Sequence, residues 1–135
     1  MKIAIGLLMS ALLLGCASAG PNEALPFLPM LAPPPPGTEE MRLTAAKTGK
    51  LVVEKGCVKI ASGRYIETVL WHQGTELGRD ASGLFLRETH TGQIVRFGAT
   101  TTFGGGDLPE DYVARAYPEL AQRCGPPYGS GWIGD

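Results

Sequence analysis

The 135-residue chain is short of charge of either sign and of histidine: 12 basic side chains stand against 13 acidic ones, with 2 histidines. A balance this close to neutral lacks the basic footprint that sequence-independent nucleic-acid binding needs, so nucleic acid is not an expected partner. There is no C-x-x-C pair, and His72, His90, Asp80 and Glu88 match no metal-ligand spacing, so no metal or other cofactor is implied. Both histidines are expected on exposed loops. Neither Ser62 nor Ser82 lies in a G-x-S-x-G elbow. Gly104-Gly105-Gly106 lacks the Lys-Ser/Thr of a phosphate loop, and the Asp107 and Glu110 that follow would repel phosphate. Those glycines are expected to serve close packing or positive φ. Long hydrophobic runs are also missing. The longest, Ile3 to Leu14, is twelve residues; as a helix it spans about 18 Å against a hydrocarbon core of about 30 Å. The expectation from these absences is a chain that is not an enzyme.

Glycine and proline are plentiful, at 19 and 11 residues, well above ordinary usage. Seven prolines fall within residues 20–37, where Pro33–Pro36 favours extended polyproline II, so this stretch reads as a spacer. Leu25, Phe27, Leu28, Met30 and Leu31 are too apolar for a pure linker, and are expected on a membrane surface or against the domain. Thr38 to Lys47 reads as one or two helical turns, with Glu39 and Glu40 at the amino-terminal end.

From Thr48 the pattern turns to short β-type runs: Leu51–Val53, Cys57–Ile60, Tyr65–Trp71, Gly83–Arg87, Ile94–Phe97 and Ala99–Phe103. Gly56 suggests a bend between the first two. Thr89-His90-Thr91-Gly92 reads as a hairpin connection, and Gly104–Gly106 as the end of a strand. One helix is expected after Asp107, which with Glu110 resembles a capping box. The tail after Cys124 reads as loop or edge strand, anchored by Trp132 and Ile133. The fold class is therefore mainly β, a barrel or sandwich of five or six strands with one short carboxy-terminal helix.

Lys2 and the apolar run describe a secretory signal peptide. It ends in Leu13-Leu14-Gly15-Cys16, which resembles the lipobox of bacterial lipoproteins. The resemblance implies cleavage before Cys16, diacylation of its thiol and acylation, palmitate-like, of the new amino terminus. The membrane is then a partner through this lipid, and the location is the cell envelope. Ala17 after the cysteine resembles outer-membrane sorting where two membranes exist. Ala17-Ser18-Ala19 offers an alternative small-x-small site, whose use would release a soluble secreted protein. The expected organisation is signal peptide 1–15, lipid-anchored tether 16–47 and β-rich domain 48–135.

With Cys16 acylated or removed, Cys57 and Cys124 remain, and an oxidising envelope favours a disulfide between them. Their separation of 67 positions corresponds to about 4 kcal/mol on the chain-entropy account. Gly49-Lys50-Leu51, Gly56-Cys57-Val58 and Gly104-Gly105-Gly106 resemble a type of small bacterial envelope domain without assigned activity. That implies a binding or structural module. Ala61-Ser62-Gly63-Arg64-Tyr65, followed by Trp71 and Gln73-Gly74, resembles the membrane-bound lysozyme-inhibitor family. It implies an inhibitory loop at Ser62, Gly63 and Tyr65 directed at a wall hydrolase, whereas Ser62-Gly63 as a plain hairpin turn is the simpler reading.

Overall fold

The computed structural model describes residues 24–134. Eight strands and two short helices run in the order β1 (Ala45–Glu54), β2 (Cys57–Ser62), β3 (Tyr65–Trp71), β4 (Thr75–Asp80), β5 (Gly83–Glu88), β6 (Ile94–Arg96), β7 (Thr100–Leu108), α1 (Glu110–Ala116), α2 (Pro118–Cys124) and β8 (Tyr128–Trp132). Five strands close a barrel in the order β1-β2-β3-β8-β7, and β4-β5-β6 form a separate antiparallel sheet.

The barrel closes because β1 serves two neighbours. Its first half, Ala45–Lys50, pairs with β7, and its second half, Lys50–Glu54, pairs with β2. β3 and β8 run parallel, and every other barrel pair is antiparallel. Counting barrel strands alone, the order is 1-2-3-5-4 with third and fifth parallel, the connectivity of the OB-type barrel. Two tight turns set the register. Lys55 (φ 52) and Gly56 (φ 73) link β1 to β2, both at positive φ, as a primed hairpin turn requires. Gly63 (φ 61) and Arg64 link β2 to β3.

Alternation along the strands makes two cores. Leu51, Val58, Ile60, Val69, Trp71 and Phe103 fill the barrel, where Trp71 and Phe103 meet edge-to-face at 5.5 Å. Leu86 and Val95 from the second sheet extend this core. Leu70 and Tyr128 point the other way, into a second cluster with Val113 and Leu120 of the helices. β3 is thus covered on both faces, which explains why Glu67 to Trp71 are all buried.

Several expectations need correction. Residues 38–44 hold no helical turn, and β1 already begins at Ala45. Gly104–Gly106 do not end a strand; they lie inside β7, which runs on to Leu108. Their role is close approach, since a Cβ at Gly104 would overlap the Trp132 ring, at Gly105 the Ser130 carbonyl, and at Gly106 the Leu43 side chain. Asp107 belongs to β7, and the helix starts at Glu110 after Pro109 with no side-chain cap. Among the described residues the expected single helix is two, because Pro118, read from sequence as an interruption, ends the first and opens the second. The tail is no edge: β8 sits between β3 and β7. The hairpin of β5 and β6 and the Cys57–Cys124 disulfide are present as expected.

Residues 27–31 lie against the barrel. The Phe27 amide donates to Gly56 O (2.8 Å) and its carbonyl accepts from Val58 N (2.9 Å). The Pro29 carbonyl accepts from Trp71 N, and Leu31 N donates to Trp71 O, both at 2.9 Å. Pro26 and Pro29 fit here because none of these bonds asks them for a donor.

Candidate functional site

OB-type barrels present ligands to the outer face of their second and third strands and the adjoining loops. Here that face carries Cys57, Lys59, Thr68 and Leu70, and all four are buried. The cover is α2. Cys124 at its end is bonded to Cys57, with Cα atoms 5.8 Å apart. The Lys59 ammonium donates to Cys124 O (2.8 Å) and pairs with Glu54 (2.8 Å), and Thr68 Oγ1 donates to Gly125 O (2.7 Å). The Lys59 hydrogen bond and charge hold the Glu54 carboxyl below its usual range. The helical excursion between β7 and β8 thus occupies the surface on which such barrels bind.

One end of the barrel interior is polar. Lys47 and Glu67 pair at 2.6 Å with nearly buried side chains, and the exposed Asp107 stands 3.7 Å from the same ammonium. The room comes from Gly129, where a Cβ would overlap the Glu67 carboxylate. Tyr65 sits nearby; partial burial, then the negative charges of Glu67 and Asp107, raise its phenol above the ordinary value.

Cys16 lies outside the described residues. Ser62, Gly63 and Tyr65 gather at the β2–β3 turn, where Tyr65 is 53% exposed. The Ser62 hydroxyl donates to Thr48 O at 2.6 Å, so it is tied to β1. Trp71 and Gly74 lie elsewhere, Trp71 inside the barrel core.

His72 is not an exposed loop residue. It is 3% exposed, and its Nδ1 lies 2.7 Å from Glu40 Oε1. Burial opposes ionisation of Glu40, but the His72 hydrogen bond and charge, with Arg42 beside it, hold that carboxyl below its usual value. Sequence reading missed this pair because 32 positions separate its members. His90 is exposed, as expected for its turn; its backbone and ring nitrogens lie 3.0 and 2.9 Å from Glu88 Oε1, and Thr91 N donates to Oε2 at 2.6 Å. These contacts push the Glu88 carboxyl down to about 2. Among the described residues no group of three or more His, Cys, Asp or Glu side chains gathers into a metal site.

An open groove of about 470 Å³ lies between residues 27–30 and the α1–α2 corner, walled by Phe27, Leu28, Met30, Tyr117, Pro118 and Leu120. A second groove of about 400 Å³ borders the β2–β3 turn, with Thr48, Lys50, Ser62 and Thr100 on its walls. The chain matches no family model, no curated protein and no solved structure.

Proposed function

We propose that this chain is a cell-envelope lipoprotein, anchored through Cys16, whose barrel is a binding or structural module without catalytic activity. The observation that carries the reading is the buried Cys57–Cys124 disulfide, which fits an oxidising envelope compartment. It joins the lipobox-like Leu13-Leu14-Gly15-Cys16. The partner, an envelope protein or wall hydrolase, is expected at a surface other than the covered face of β2 and β3.

Metabolic labelling with a lipid precursor tests this. The wild-type chain should take up label and Cys16→Ala should not; label retained in Cys16→Ala, or a mature chain beginning at Gly20, contradicts it. A second reading, inhibition of a lysozyme-type wall hydrolase, draws on the exposure of Tyr65 at the β2–β3 turn. It requires the purified protein to slow lysozyme and Tyr65→Ala to lose that effect; unchanged hydrolysis with wild-type protein removes it.

A further inference from the structure

We propose that the apolar groove between residues 27–30 and the α1–α2 corner docks on the phospholipid surface that holds the anchor. This rests on the lipoprotein reading of Cys16. The first support is reach. Phe27 is fixed to β2 by two backbone bonds and lies eleven residues after Cys16. Eleven residues span at most about 36–40 Å, so Phe27 stays within that distance of the bilayer, and its surroundings are the part of the domain nearest the anchor.

The second support is chemistry. Phe27, Leu28 and Met30 form one wall and Tyr117, Pro118 and Leu120 the other. Leu25, just before the groove, is 46% exposed. The exposed Arg123 guanidinium lies 4.4 Å over the Phe27 ring, and exposed Lys55 precedes the Gly56 that accepts the Phe27 amide. Two cations beside an apolar cleft suit the boundary between anionic headgroups and acyl chains. Glu119 also lines the groove and opposes them. Residues 17–23 (ASAGPNE) hold no large apolar side chain, so the tether cannot fill the groove itself.

The test uses the full lipidated chain in phosphatidylethanolamine–phosphatidylglycerol vesicles, with and without brominated acyl chains. Tryptophan is introduced beside the groove (Leu25→Trp) or on β6 (Ile94→Trp, where Ile94 is 47% exposed). Bromination should reduce emission of Leu25→Trp and leave Ile94→Trp and the wild-type emission of Trp71 and Trp132 unchanged. A chain that floats with vesicles but shows no quenching, or equal quenching at both positions, overturns the docking while the anchor stands. A dimer in detergent that Leu28→Glu dissolves assigns the groove to a second copy and also overturns it. A chain with unmodified Cys16 that does not float overturns both proposals.

Discussion

Removing the cross-link by Cys57→Ala with Cys124→Ala tests how the helical cover is held. The closed loop spans 67 positions, and the chain-entropy relation assigns it about 4 kcal/mol. Against a typical domain stability of about 5–15 kcal/mol, that loss is large. The remaining attachments are the Lys59 bond to Cys124 O, the Thr68 bond to Gly125 O, and Val113 and Leu120 against Leu70 and Tyr128. They should keep the fold at low denaturant. With a urea dependence of about 1–2 kcal/mol per molar, the unfolding midpoint should fall by roughly 2–4 M. Intrinsic tryptophan emission reads the transition, since Trp71 is wholly buried in the barrel core. A loss under about 1 kcal/mol would refute the reasoning, because packing alone would then fix α2.

Other outcomes follow from the barrel interior and the turns. Glu67→Ala leaves the Lys47 ammonium nearly buried beside only the more distant Asp107, and should cost about 3–5 kcal/mol in chemical denaturation. The paired Lys47→Met, Glu67→Leu variant should recover most of that, and no recovery would contradict a buried-pair account. Gly129→Ala places a Cβ on the Glu67 carboxylate and should lower stability by about 1–3 kcal/mol, visible as a fall in Tm; an unchanged Tm would contradict the contact. Glu88 should titrate at about 2 by carboxyl NMR, against the ordinary 4.5. Its folded pKa lies below the unfolded one, so its contribution is complete above about 4.5 and fades as pH falls toward 2. A midpoint near 4.5 would contradict the hydrogen bonds from His90 and Thr91.

The β5–β6 hairpin was legible because Gly83–Arg87 and Ile94–Phe97 are dense in apolar and β-branched residues around a Gly-bearing turn. The disulfide followed from cysteine number and the envelope location expected from the lipobox-like leader. β4 was not legible: Thr75–Asp80 reads TELGRD, with two acids, an arginine and a glycine, and it is held by pairing along its length with β5. β8 was hidden for a related reason. Tyr128–Trp132 is glycine-rich because Glu67 and Lys47 occupy the space at Gly129, and Val69 and Trp71 that at Gly131, so its loop-like composition reflects a crowded barrel. The apolar side chains of residues 27–31 signalled a contact with membrane or domain, but their backbone bonding to the barrel was hidden by proline content, since it uses only amides and carbonyls proline leaves free. The buried His72–Glu40 pair and the covered face of β2 and β3 depend on contacts distant in sequence, which no local pattern contains.

The central claim is a lipid-anchored envelope module closed by one disulfide, and an intact mass of the protein extracted from the envelope tests it most directly. The account predicts a chain beginning at Cys16, carrying a diacylglyceryl group and an amino-terminal acyl chain, with Cys57 and Cys124 unreactive to thiol reagents until reduced. A chain beginning at Gly20 without lipid, or one with Cys57 and Cys124 both free, would contradict it.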